Sequence, residues 1–192
     1  MFVQPKISKQ RAEDIFASRR SKLSVATRRW KKKGGTFLKK VESVYLPFYL
    51  FDVSVRRENK KSKGVPPGAQ RVRLSVDGLL AHAVMYAREE LDMKADSLNV
   101  PHPDFDISQS VAEKTALEEY KAILLEHGLR TRSFPRAAQI LRIQKIHYPF
   151  WIAYFRKGRG YDFKALDAVS GEIQGIKMRK VFLRAFRLMV EP

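Results

Sequence analysis

Cysteine is absent from the 192-residue sequence, so neither a disulfide staple nor a thiolate zinc site can contribute to folding. Acidic side chains are scarce beside basic ones. Only 20 Asp and Glu face 38 Lys and Arg, leaving a formal charge of +18. Long apolar runs are missing too. The longest, Val44 to Phe51, is broken by Pro47 and falls far short of the roughly 20 residues a membrane-spanning helix needs. No apolar stretch follows the basic residues near the N-terminus, so no secretory signal is expected and the expected location is cytoplasmic.

Catalytic frames are equally sparse. His82, His102, His127 and His147 are isolated, with no H-x-x-x-H or H-E-x-x-H pair. His82, on an expected helix, and His127, at a helix end, read as structural, and His147 as a packing residue in a strand. The nearest approach to a metal set is His102-Pro103-Asp104-Phe105-Asp106, where the commoner role of Asp is to cap the following helix. There is no G-x-S-x-G elbow. The glycines of Lys33-Gly34-Gly35-Thr36 and Lys157-Gly158-Arg159-Gly160 do not follow a phosphate-cradling spacing. No catalytic residue, metal or cofactor is therefore expected, and the chain is not expected to be an enzyme.

What is present is enough to fold. Apolar residues make up 44% of the chain and include Trp30, Trp151 and 12 Phe, ample for a core. The charge is concentrated. Residues 1–40 carry 13 Lys and Arg against 2 acids, and residues 136–192 carry 12 against 4, while the middle of the chain is nearly neutral.

The sequence also resembles itself. Ile7-Ser8-Lys9-Gln10-Arg11-Ala12-Glu13 aligns with Ile107-Ser108-Gln109-Ser110-Val111-Ala112-Glu113 at an offset of 100. Val44 to Leu50 aligns with Ile146 to Ile152 at 102, through a shared Pro-Phe-aromatic core, and Val76-Asp77-Gly78 aligns with Leu166-Asp167-Ala168 at 90. Each unit reads helix, strand, turn, strand. Ser108 is placed to cap the second helix, Ile107 to staple it against Ala112, and Gly128 to stop it. Pro47 and Pro149, lacking an N–H, belong at a strand start or on a sheet edge.

The expected class is α+β, with two helix-plus-antiparallel-hairpin repeats and extra helices. Residues 1–100 form the first repeat, with a basic N-terminal segment and a helix over 79–91 marked by Leu80, Val84, Ala87 and Leu91. Residues 101–192 form the second, with a third strand at Ile173 to Met178 and a basic C-terminal segment. A Pro-bracketed linker, Val100 to Asp104, separates them.

Over residues 107–178, Tyr148-Pro149-Phe150-Trp151, Tyr161-Asp162-Phe163 and Asp167-Ala168-Val169-Ser170-Gly171-Glu172 resemble the PepSY family, with a degenerate copy over 7–78. That resemblance implies a half-cystatin-like helix on a small antiparallel sheet. It also implies an accessory module, peptidase-inhibitory or regulatory in some members, and not a catalyst. Such domains are usually extracytoplasmic or tethered to membrane segments, whereas this sequence shows neither signal nor span.

The basic segments are the candidate binding residues. Arg19, Arg20, Arg28, Arg29, Trp30, Lys31, Lys32, Lys33, Lys39 and Lys40 follow the first helix, and Lys60, Lys61 and Lys63 lie in the long connection after the first strand. Cations neutralise phosphates and an interleaved aromatic can stack on an unpaired base, so this composition points to a polyanion. RNA or a ribonucleoprotein is expected in preference to DNA. The C-terminal segment adds Arg179, Lys180, Arg184 and Arg187 opposite Phe182, Ala185, Phe186 and Met189. That is a basic amphipathic pattern, expected to dock on the sheet rather than lie on a membrane surface. A protein partner at a sheet edge and membership of a larger assembly are the alternatives.

Overall fold

The computed structural model describes residues 1–27, 37–56, 69–86, 91–95, 100–131, 137–157 and 160–190. In chain order the elements are β1 (Phe2–Val3), α1 (Lys9–Thr27), β2 (Phe37–Arg56), β3 (Ala69–Asp77), β4 (Ala83–Tyr86) and β5 (Met93–Lys94). They continue with α2 (Gln109–Thr131), β6 (Ala137–Lys157), β7 (Gly160–Asp167) and α3 (Ile176–Val190). The fold is therefore α+β. Hydrogen bonds order the strands β4-β3-β2-β6-β1-β5, with β7 on β6. The sheet is mixed, because β1 runs parallel to β6 while β2–β3, β3–β4 and β6–β7 are antiparallel.

The chain divides into two compact units, and the division falls inside β2 and inside β6. One unit holds residues 1–46, 92–103 and 147–192; the other holds 47–91 and 104–146. Neither unit is a sequence half. The first combines α1 with the β6–β7 hairpin, and the second combines α2 with the β2–β3 hairpin.

In the second unit, strand alternation puts Tyr49, Phe51 and Val53 of β2 on one face with Leu74 and Val76 of β3. α2 covers them with Ala112, Ala116 and Tyr120, whose four-residue spacing keeps them on one helix stripe. The first unit packs Ala12 and Phe16 of α1 against Ala153, Phe155 and Leu166. Both helices begin at a serine. The Arg11 amide donates to Ser8 Oγ at 3.3 Å, and the Val111 amide to Ser108 Oγ at 3.4 Å.

The three aligned segments meet at one junction in each unit. In the second unit the Gly78 carbonyl accepts the Asp106 and Ile107 amides (2.9 and 3.1 Å), and the Gly78 amide donates to the Pro47 carbonyl at 2.7 Å. The Tyr49 hydroxyl donates to the Ile107 carbonyl at 2.9 Å. In the first unit the Ala168 carbonyl accepts the Lys6 and Ile7 amides (2.9 and 2.8 Å), and the Ala168 amide donates to Pro149 at 3.1 Å. There Trp151 Nε1 donates to the Ile7 carbonyl at 2.8 Å. Both turns hang on an aspartate. Asp77 accepts the Leu79, Leu80 and His82 amides, and Asp167 accepts the Val169 and Ser170 amides. Ala81 (φ 58°) and Gly171 (φ 74°) take the left-handed conformation at matching places.

Four expectations need correction. The described residues 79–86 of the expected 79–91 helix do not form one. The Asp77 turn reverses the chain and Ala83–Tyr86 pairs with β3 from Arg73 to Val76, so sheet pairing overrides a spacing that mimics a helix. His82 accordingly sits in that turn, not on a helix. Ile173 makes only a bridge to Leu166 before α3 starts, so there is no strand to Met178. α2 runs through Gly128 to Thr131, since one glycine costs a helix only about 1 kcal/mol. Pro47 and Pro149 lie within long strands, but each stands just before a ladder begins, at Phe48↔Asp77 and at Phe150↔Asp167. The missing N–H therefore breaks no bond of those ladders.

Candidate polyanion-binding surface

α3 forms because its apolar residues recur at helical spacing. Val181, Phe182 and Ala185 are fully buried on one stripe, and Phe150 and Phe163 meet Phe182 edge-on at 5.1 and 6.1 Å between centroids. Phe186 lies edge-on to Phe163 at 5.2 Å. The C-terminal segment is thus a helix docked on the sheet, not a free amphipathic helix. Docking leaves Lys177, Lys180 and Arg187 exposed.

Arg179 does different work. Its Nη1 donates to the Phe163 carbonyl at 3.0 Å, its Nη2 pairs with Asp162 at 2.8 Å, and its guanidinium lies over the Phe163 ring at 4.4 Å. It pins the helix to β7. Arg184 is half-buried.

Lys39 and Lys40 lie exposed at the start of β2. The ammonium of Lys40 pairs with Glu42, and the Tyr154 hydroxyl donates to Glu42 Oε1 at 2.6 Å. Burial pushes the Glu42 carboxyl up, but the bonds to Lys40 and Tyr154 outweigh it and hold the group below the usual carboxylate value. The Tyr154 phenol is pushed well above its ordinary value by burial and by the bond to Glu42.

A test follows from that pair. Tyr154→Phe should lower stability by about 1 kcal/mol at neutral pH, the worth of one hydrogen bond. Because the folded carboxyl titrates low, the stabilisation is present above the unfolded value and fades as pH falls through the folded one. The gap between wild type and variant in urea melts should therefore narrow in acid. An equal gap at both pH values would refute the assignment.

Of the other sequence candidates, Arg19 and Arg20 are on α1, with side chains outside the described residues. Arg28, Arg29, Trp30, Lys31, Lys32, Lys33, Lys60, Lys61 and Lys63 lie outside the described residues altogether. Among the described residues the structure thus places the candidates of α3 and of the start of β2.

No family model, curated protein or solved structure matches this chain. Among the described residues no helix is long and apolar enough to cross a membrane. Among them, too, no three His, Asp or Glu side chains converge where a metal ion could sit. His102 uses Nδ1 on the Val100 carbonyl at 2.9 Å, and its ring meets Phe2 and His147 at 5.1 and 4.6 Å. Phe2 stacks on His147 at 4.8 Å, so this histidine pair packs β1 onto β6.

Proposed function

We propose that the protein is a non-catalytic, cytoplasmic RNA-binding or ribonucleoprotein-associated protein, built on a duplicated helix-plus-hairpin unit. The observation that carries the binding reading is the charge: 13 Lys and Arg against 2 acids in residues 1–40, on a chain of net +18. Self-repulsion on that scale is relieved by a polyanion, and phosphates are the densest source of fixed negative charge. Trp30 among the cations favours unpaired bases over a closed duplex. The duplication is supported by the recurrence, in each unit, of one junction built from the same aligned positions.

Titration of a labelled single-stranded RNA, followed by anisotropy, tests the reading. If about six phosphates are neutralised, log affinity should fall with log salt at a slope of about −4, roughly 250-fold between about 50 and 200 mM. Replacing Arg28, Arg29, Lys31, Lys32 and Lys33 by Ala should flatten that slope. Affinity that is absent at low salt, or indifferent to salt, excludes the proposal.

The second reading is a PepSY-like regulatory module acting on a protein partner. It is favoured by the Asp167 turn, in which Gly171 supplies the positive φ that closes the hairpin. A single stoichiometric protein retained after nuclease treatment would support it over RNA. A set of many partners retained together would instead indicate a component of a larger assembly.

A further inference from the structure

α3 buries one stripe and exposes another that is not simply polar. Ile176 is 81% exposed, Leu183 52% and Val190 80%. They recur every seven residues, so on a 3.6-residue helix they drift only about 20° per step and form one strip about 21 Å long. Lys180 and Arg187 stand exposed on the same strip, four residues after Ile176 and Leu183. Exposed aliphatics scattered singly need no explanation, but three in register with cations between them make a patterned surface.

The strip starts at a pocket. A cavity of about 170 Å³ opens beside Ile176, lined also by Phe163, Ala165, Gln174, Gly175, Arg179 and Phe182. Its walls are fixed in advance. Phe182 is fully buried, and Arg179 is held by Asp162 and the Phe163 carbonyl. A recess of this size, with Phe163, Ala165 and Phe182 in its wall beside the polar Gln174 and Arg179, accepts one aliphatic side chain, the usual anchor of a helical ligand.

We propose that the outer face of α3 docks an acidic amphipathic helix of a protein partner. The partner's apolar stripe covers Ile176, Leu183 and Val190, one of its leucines enters the pocket, and flanking carboxylates meet Lys180 and Arg187. Heptad spacing fits a helix, and α3, with its backbone bonds satisfied internally, offers an extended strand nothing to pair with. A second copy of the chain would set Lys180 and Arg187 against themselves at a net charge of +18, which opposes self-association. Nucleic acid would use the cations and leave the aliphatics in water, and no aromatic stands on the strip. A membrane surface needs a continuous apolar face, and α3 spends its widest one on the sheet. Lys180 and Arg187 thus pass from the RNA surface to this one, and the inference stands apart from the RNA-binding reading.

The probe is a three-heptad peptide with Leu at positions a and d and Glu at e and g, unfolded alone at neutral pH because its glutamates repel. Titrated with the full-length protein, it should bind and gain helicity by circular dichroism. Leu183→Asp, at an exposed site, should weaken binding by about tenfold or more without changing the protein's own melt. Lys180→Glu with Arg187→Glu should weaken it likewise and instead bind a peptide carrying Lys for Glu. RNA affinity should be unchanged by Leu183→Asp. Failure of the wild type to bind the peptide overturns the proposal, as does indifference to Leu183→Asp. So does a result in which Leu183→Asp abolishes association with RNA or with phosphatidylglycerol-containing vesicles.

Discussion

Replacing Asp77 by Ala should lower the melting temperature by roughly 8–16 °C. Asp77 is 0% exposed, and its carboxylate accepts three amides, from Leu79 at 3.1 Å, Leu80 at 2.7 Å and His82 at 2.6 Å. Removing an acceptor from a buried site strands its donors, at about 1–3 kcal/mol for each left unsatisfied. Water reaches part of the turn once the carboxylate is gone, so the net loss is set at about 4 kcal/mol, and a chain of this size loses about 2–4 °C per kcal/mol. Asn should restore little, because its NH₂ must face one of the three donors. Asp167→Ala is the internal control. That carboxylate accepts only two amides, plus the Tyr148 hydroxyl at 3.0 Å, and is half-buried, so about half the loss is expected. If both alanine variants melt within a degree or two of wild type, the turns are not anchored as described.

This pair of aspartates was legible in the sequence, aligned at an offset of 90, because a buried carboxylate at a turn has few substitutes. Likewise legible was the helix start at Ser108, whose hydroxyl the Val111 amide requires, and Ser8 takes the same place before α1. The exchange of helices was not legible. Ala12 and Ala112 carry no mark of which hairpin they pack against, since both hairpins present aromatic and β-branched faces of similar size. Nor could periodicity separate Val84 in a strand from Val84 in a helix. That choice was made by pairing with β3, where Val84 stands opposite Ser75 across the Asp77 turn. At α3 the inward face was legible in Phe182 and Ala185. The outward one is legible too, in the seven-residue spacing of Ile176, Leu183 and Val190.

Gly78 should tolerate no side chain, and here the two junctions differ in a way that can be measured. A Cβ at Gly78 would lie 2.7 Å from Phe105 Cδ1 and 3.0 Å from Pro47 Cβ. Neither neighbour can yield easily. Pro47 is a ring in the middle of β2, and Phe105 is held edge-on to Tyr49 at 4.7 Å with the Lys145 ammonium 5.3 Å from its centroid. The Gly78 backbone cannot retreat either, because its amide bonds Pro47 and its carbonyl bonds Asp106 and Ile107. Gly78→Ala should therefore cost about 1–3 kcal/mol by overpacking, and Gly78→Val more. The matching position is already alanine, Ala168, and the residue matching Phe105 is Pro5, a smaller ring. Trimming the obstacle should thus relieve the strain: Gly78→Ala combined with Phe105→Leu should be less destabilised than the sum of the two single changes. Urea unfolding of the four proteins measures the coupling, with about 1 kcal/mol or more expected for groups in direct contact. Strict additivity would mean that Phe105 is not what excludes a side chain at position 78.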